Sequence, residues 1–153
     1  MTTIIETKDI PQVELDFMNA THFEEIAMVK SLGELVSNYQ QSANDSNSNS
    51  NSNSNEKAIT ESLQEWLSHT TAHFERENEL MQQTGFPALP VHSNEHQQAL
   101  KNMQAIIEAW QHNHDIDLLA DFIFDLWPNW FNTHVNTMDM MTAKFAVMNG
   151  YSE

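Results

Sequence analysis

Residues 73–96 read HFERENELMQQTGFPALPVHSNEH, and they predict more about the fold than any other segment because they combine metal-ligand residue types with helical spacing. His73 and Glu77 are four residues apart, and so are His92 and His96. Residues at this spacing lie on one face of a helix, about one turn apart. The stretch therefore predicts two helices, each of which directs a pair of ligand-type side chains at one place.

The residues between these two pairs predict a turn. Gly85 and Pro87 end the first helix of the stretch, because glycine adopts the left-handed conformation that closes many helices and proline cannot continue one. Pro90 suits the first turn of the next helix, where its missing N–H has no partner to lose. The two helices are therefore expected to run antiparallel, the second helix of the chain covering about residues 57–83.

Apolar residues recur every three or four positions along four stretches, which is typical of helices that bury one face. The first stretch covers about residues 15–39, and the fourth begins at Asp115 or Asp117, both plausible N-caps, and continues to about Met148. The predicted buried stripes are Leu15, Met18, His22, Ile26, Val29, Leu32 and Val36; Ile59, Leu63, Trp66, Thr70, His73, Glu77 and Leu80; His92, His96, Ala99, Met103, Ile106 and Trp110; and Leu119, Phe122, Leu126, Trp130, His134, Met138, Met141, Phe145 and Met148. This pattern predicts an all-α, up-down-up-down four-helix bundle.

The whole chain, 1–153, is expected to form one domain with one irregular insertion. Residues 44–55 are almost entirely Asn and Ser, so we expect a disordered low-complexity loop at about 41–56, between the first and second helices. Pro128 lies inside the fourth helix and predicts a kink there, about a turn before His134.

Composition excludes several classes of function. The 22 acidic and 6 basic residues give a formal charge of −16, which repels nucleic acid and anionic membranes, so neither is expected as a partner. The absence of cysteine excludes disulfides, thiolate zinc sites and iron–sulfur clusters. The N-terminus lacks the pattern of a signal peptide, and no apolar stretch approaches membrane-spanning length. We therefore expect a cytoplasmic protein.

Six residues of metal-ligand type fall on these stripes and a seventh, Asp139, lies directly beside the stripe residue Met138; together they predict a metal centre inside the bundle. They are His22, His73, Glu77, His92, His96, His134 and Asp139. As plain core they would be costly, because each buried polar group without a partner costs several kcal/mol. Nitrogen and oxygen donors without sulfur suit iron, manganese, zinc or copper. Seven ligands are too many for one tetrahedral zinc, so two ions that share carboxylates are predicted.

Asp139 is the least regular member of this set. It follows His134 by five residues, which is about 140° around an ideal α-helix rather than one face. Two geometries remain open: the pair grips one centre from two sides, or the helix widens locally into a π-bulge.

The motifs together resemble those of the hemerythrin family, in particular its bacterial single-domain members. The matching motifs are His22 in the first helix, HFERE at 73–77, the Gly85-Phe86-Pro87 turn, HSNEH at 92–96 and WFNTHVNTMD at 130–139. The resemblance covers everything except the N-terminal arm and the Asn/Ser tract. The ferritin-like class is excluded, because no Glu-x-x-His pair lies on a ligand stripe.

The resemblance implies a non-haem di-iron centre that binds O2 reversibly, for storage, delivery or sensing. The implied roles are His92, His96 and His134 on one iron; His22 and His73 on the other, which keeps an open position for O2; Glu77 and Asp139 as bridges, together with an oxo or hydroxo group; and Trp130 and Phe131 as walls of an apolar O2 pocket. The partner that the resemblance implies is O2, and it does not identify a protein partner.

The chain departs from the family pattern three residues after the first-helix histidine. Family members commonly place an apolar residue there, whereas this chain has Glu25. Glu25 is either a solvated flanking residue or a carboxylate that reaches the open iron. The second interpretation favours a di-iron enzyme that reduces peroxide or O2. His69, one turn before His73, is a candidate for hydrogen bonding to the ligand set from outside.

Overall fold

The computed structural model describes residues 10–43 and 52–153, and all regular elements of this part of the chain are helical. Helices α1 (Asp16–Ala43), α2 (Ser52–Thr84) and α3 (Leu89–Asn113) are followed by a long fourth helix. The fourth helix comprises α4 (Ile116–Asp121), the π-helical turn π1 (Phe122–Leu126), α5 (Trp127–His134), a second π-helical turn π2 (Val135–Asp139) and α6 (Met140–Met148). The predicted all-α fold with four helices is confirmed.

The turn between α2 and α3 has the predicted glycine-closed form. Gly85 has φ 68°, its N–H donates to the Gln82 carbonyl, and the N–H of Phe86 donates to the Met81 carbonyl at 2.9 Å. These two bonds satisfy carbonyls that the end of a helix leaves free. The chain therefore reverses within four residues and brings the start of α3 beside the end of α2.

A second short connection joins α3 to the fourth helix. His114 adopts φ 48° and its N–H donates to the Trp110 carbonyl at 2.8 Å, which closes α3. Asp115 then caps α4 by accepting from the Leu118 N–H at 3.2 Å. Of the two predicted N-caps, Asp115 is the one that the structure uses.

The core is built from the predicted stripes of the first three helices. Every stripe residue predicted for α1 and α2 is buried. In α3 the stripe is also buried, except that Ile107 takes the fully buried place expected for Ile106, which is half-buried. These faces pack α1 on α2, α2 on α3, and the fourth helix on all three.

The predicted stripe of the fourth helix is wrong in part. Leu126, Met141 and Met148 are exposed by 53%, 62% and 80%, although the periodicity placed them in the core. The residues buried beyond α4 are instead Phe122, Ile123, Trp127, Phe131, His134, Val135, Asp139, Thr142, Ala143 and Ala146. The cause is the two π turns, because each adds one residue to a turn and moves the buried face one position along the sequence.

The irregularity expected at Pro128 takes the form of π1. Pro128 lies in the first turn of α5, directly after this widened turn, in which the Trp127 N–H bonds to the Phe122 carbonyl. Proline cannot donate a backbone hydrogen bond, so a position next to a rearranged turn accommodates it. The kink itself stays a prediction.

The Asn/Ser tract is only partly described. Residues 1–9 and 44–51 lie outside the described residues, so the predicted disordered loop stays a prediction there. Residues 41–43 and 52–56, however, belong to α1 and α2, so the expectation of a disordered loop is wrong at the two ends of the range 41–56. Adding residues to an existing helix costs little, and serine and asparagine are favoured at helix N-termini.

None of the helices in the described part of the chain combines the length and the apolarity needed to cross a membrane.

Candidate metal centre

All seven predicted ligand residues are buried, and their side chains meet inside the bundle. They form two overlapping groups, in each of which the candidate ligand atoms lie within 4.8 Å of one another. The three-histidine group consists of Glu77, His92, His96, His134 and Asp139, and the two-histidine group consists of His22, His73, Glu77 and Asp139. Both carboxylates belong to both groups.

Glu77 turns one oxygen towards each group. Its Oε2 lies 2.6 Å from His73 Nε2 and 3.8 Å from His22 Nε2. Its Oε1 lies 3.1 Å from His96 Nε2 and 3.5 Å from His92 Nε2. A carboxylate placed in this way can share its two oxygens between two neighbouring cations.

Asp139 has the same arrangement from the opposite helix. Its Oδ2 lies 3.0 Å from His22 Nε2, and its Oδ1 lies 3.2 Å from both His92 Nε2 and His134 Nε2. The five-residue spacing from His134 works because the intervening turn is π2, in which the wider turn returns Asp139 to the face of His134. Of the two geometries left open by the sequence, the structure has the π-bulge.

The outer nitrogens of four ligand histidines have polar partners. His73 Nδ1 faces Glu25 Oε1 at 3.2 Å, His92 Nδ1 faces Thr142 Oγ1 at 2.8 Å, His96 Nδ1 faces Asn78 Oδ1 at 3.1 Å, and His134 Nδ1 faces Glu95 Oε1 at 2.7 Å. Such acceptors place the ring proton on Nδ1, so that the Nε2 lone pair points into the centre.

Sequence reasoning missed Asn78, Glu95 and Thr142 as parts of the site. Asn78 and Glu95 directly follow or precede a ligand, and Thr142 lies three residues after Asp139. Each lies near a ligand in the sequence, yet all three bond to a histidine of another helix. The single signal available was a polar residue beside a ligand, which is common on any helix surface.

Several buried atoms at the centre have no hydrogen-bond partner among the described residues. They include His22 Nε2, His96 Nε2, Glu77 Oε1, Asp139 Oδ1 and Asp139 Oδ2. Leaving a buried polar atom unsatisfied costs roughly 1–3 kcal/mol. Their convergence, and the chemistry of imidazole and carboxylate donors, fit bound cations that accept all these lone pairs together.

Electrostatics hold the carboxylates ionised despite their burial. Burial opposes ionisation of Glu77, but the neighbouring histidines, His73 foremost, keep its pKa well below the usual range. Burial also lowers the pKa of His134, but Asp139 and Glu95 outweigh it and raise that pKa to about 10. Protonated imidazoles such as that of His134 therefore offset the charge of the buried carboxylates.

Glu25 lies next to this centre but outside both groups. Its side chain is 1% exposed, so the interpretation as a solvated flank is wrong. Its Oε1 lies 3.2 Å from His73 Nδ1, 3.4 Å from Thr70 Oγ1 and 3.5 Å from His69 Nδ1. Burial raises the pKa of Glu25, but the two histidines outweigh it and lower that pKa to about 2. The carboxylate therefore faces the outer nitrogen of His73.

His69 connects this carboxylate to the protein surface. Its Nδ1 faces Glu25, while its Nε2 lies 3.3 Å from Glu24 Oε2, and Glu24 is 68% exposed. The structure thus places His69 outside the ligand set, with Glu25 between it and the ligand His73.

The two predicted pocket walls lie on different sides of the centre. Phe131 is fully buried, and its ring meets the ring of His22 edge-on at 5.5 Å. Trp130 instead stacks on His134 at 4.7 Å and, together with Phe74, lines an apolar cavity of about 440 Å³. Phe131 therefore contacts the two-histidine group, whereas Trp130 contacts the three-histidine group. Their roles towards O2 stay predictions.

Fold and site together define a helical-bundle protein with a buried histidine–carboxylate centre suited to cations. The family described as the hemerythrin HHE cation binding domain matches residues 14–146, and the chain belongs to this family. It is 30% identical over 95 residues to a bacteriohemerythrin of Ralstonia nicotianae, an overlap of 62% of this chain and 68% of the relative. It is 23% identical over 141 residues to a bacteriohemerythrin of Aquifex aeolicus, covering 92% and 96% respectively. No solved structure matches the chain.

Proposed function

We propose that the protein is a non-haem di-iron protein that binds O2 reversibly at an open position on one iron. The observation that carries this proposal is the unequal division of five histidines around two shared carboxylates. Membership of the hemerythrin family and the similarity to two proteins named bacteriohemerythrin support iron and O2 as the cofactor and ligand.

Under this proposal the two groups hold one iron each. His92, His96 and His134 would hold the first, His22 and His73 would hold the second, and Glu77 and Asp139 would be shared by both. If one oxo or hydroxo group were also shared, the first iron would have six donors and the second five, which would leave the second iron one position for O2. Two iron ions supply the two electrons that O2 accepts when it binds.

The chain itself supplies an apolar, rigid surrounding for this chemistry. Phe131 covers His22 with its ring edge and excludes water from that side. Asn78, Glu95 and Thr142 fix the rings of the three-histidine group. Excluding water slows the irreversible oxidation of the irons, and a protein that binds O2 reversibly requires this.

The enzymatic alternative rested on a carboxylate at the open position. Glu25 was the residue expected to provide it, and its carboxylate faces His73 Nδ1 instead. Peroxide or O2 reduction therefore has no observation in its favour and enters as an outcome of the test.

The test exposes the anaerobically reduced, iron-loaded protein to O2 and follows its visible charge-transfer absorption. We expect two irons per chain and a band that appears with O2 and disappears when O2 is removed. His112→Ala is the matched control, because His112 is an exposed histidine far from the ligand motifs. It should keep the band, whereas His73→Ala should lose it. Immediate oxidation with rapid peroxide turnover would support the enzyme, and one zinc per chain would overturn the whole scheme.

A further inference from the structure

Glu25 is a buried carboxylate, and an ionised carboxylate at a buried position needs polar partners around it. It lies three residues after His22 on α1, so both side chains point from one helix face towards α2. It is 1% exposed, and an isolated charge at that depth would be strongly unfavourable. Three side chains of α2 surround its Oε1: His69, Thr70 and His73.

The outer partners of the ligand histidines differ in kind. His92 faces a hydroxyl and His96 faces an amide oxygen, while His73 and His134 face carboxylates. The carboxylate behind His134 is 30% exposed, whereas the one behind His73 is buried. A charge acts more strongly on its partner where water cannot screen it. The carboxylate partner that water screens least therefore belongs to a histidine of the two-histidine group.

We propose that Glu25 is a positioning residue that fixes the His73 ring and increases its electron donation to the iron with the open position. This inference rests on the proposed function. A carboxylate that accepts from Nδ1–H orients the ring and makes Nε2 a stronger donor. A stronger donor favours the ferric state of that iron, so Glu25 lowers the reduction potential of the centre.

His69 moderates this effect electrostatically: its Nδ1 makes no hydrogen bond to the described residues, but it lies within ion-pair distance of the same carboxylate oxygen. His69 Nδ1 and His73 Nδ1 both face Glu25 Oε1, at 3.5 and 3.2 Å. Removing His69 leaves the carboxylate to His73, whereas removing the charge of Glu25 weakens the interaction with His73. The two changes should therefore shift the reduction potential in opposite directions, which general loosening of the helix pair would not do.

The test measures reduction potential and metal affinity in matched variants. Glu25→Gln keeps an acceptor and removes the charge, so its potential should rise. His69→Ala should lower the potential. Glu65→Gln removes an equally charged but exposed side chain of α2 and should change neither quantity. Equal potentials in Glu25→Gln, His69→Ala and the wild type, with iron fully loaded, would overturn the inference and leave the proposed function standing.

Cobalt(II) binding to the metal-free protein separates the inference from the proposed function. Glu25→Ala should bind cobalt(II) roughly 10- to 100-fold more weakly, with a changed visible spectrum of the bound ion. A lower melting temperature with unchanged cobalt affinity would mean that Glu25 only stabilises the fold, and the inference would be wrong. If Glu25→Ala does not fold, the reduction potential of His69→Ala is the remaining test, and an unchanged potential in that variant would refute the inference. If the wild type does not bind O2, the proposed function is wrong, but the cobalt(II) measurement on Glu25 keeps its meaning.

Discussion

At the scale of single residues, the metal centre depends on atoms that do not touch a metal. Nε2 of each ligand histidine points inwards, and the partner at Nδ1 decides which tautomer is present. Thr142 is the neutral case, a buried hydroxyl 2.8 Å from His92 Nδ1. Asp139, three residues earlier on the fourth helix, is a proposed ligand. One stretch of this helix therefore supplies both a proposed ligand and a side chain that orients another proposed ligand.

Replacing Thr142 by valine tests this division of roles. The two side chains have similar shapes, so the variant should fold, but His92 Nδ1 would lose its hydrogen-bond partner. We expect metal affinity to fall by roughly 10-fold or more, in the range typical of such partners. Competitive titration with a chelator measures this. Thr71→Val is the control, since its hydroxyl bonds to the Leu67 carbonyl within α2. Equal affinities in the two variants would contradict the orienting role.

At the scale of helices, the fourth helix shows how a local irregularity places a ligand. The π2 turn inserts one residue between His134 and Asp139, and both side chains still reach the centre. Along the same helix, π1 and π2 bring small residues such as Ala143 and Ala146 into the core and leave Met141 and Met148 exposed. The π turns therefore change the helical register in a way that places both Asp139 at the site and the small residues in the core.

Deleting a residue from π2 should be tolerated better than deleting one from regular helix. Removing the exposed Asn136 shortens the spacing of His134 and Asp139 to four, which an ordinary α-helical turn places on one face. We expect this variant to keep two metal ions per chain. Removing the exposed Asn132 from α5 instead rotates everything that follows by about 100°, and metal binding should be lost. Metal analysis and circular dichroism compare them. Equal loss in both deletions would show that the π turn itself is required.

At the scale of the whole molecule, metal binding and stability are linked through protons. Three of the carboxylates that contribute to the formal charge of −16, those of Glu77, Asp139 and Glu25, are buried inside the bundle. Protonated imidazoles offset these charges in the metal-free protein, and cations replace the protons on loading. The same groups that bind metal therefore set the pH dependence of folding.

The metal-free protein should be most stable between about pH 4.5 and 6.5. The pKa of His134 rises from 6.5 to about 10 on folding, so its contribution is complete below pH 6.5 and is lost as the pH rises towards 10. The pKa of Glu25 falls from 4.5 to about 2, so its contribution is complete above pH 4.5 and is lost as the pH falls towards 2. Urea unfolding after chelator treatment measures the free energy of unfolding at each pH. A free energy that increases between pH 6.5 and 9 would contradict this assignment.

The stability that bound metal adds should change with pH in the opposite sense over the neutral range. Metal competes with protons for the imidazoles, so affinity should increase from pH 6 to pH 8. Repeating the urea experiment with and without iron separates the two effects, because the stability added by metal should grow with pH.

The sequence alone determined which seven polar side chains meet inside the bundle, the four helices, the buried faces of α1 and α2, and the glycine-closed turn at Gly85. These features follow from spacing along one chain segment, since helical periodicity and turn chemistry are local. Tertiary structure alone decided between the two geometries of Asp139, moved the buried face of the fourth helix, and turned Glu25 towards His73. Contacts between helices depend on how each helix is rotated and packed against its neighbours, and local spacing does not contain that information.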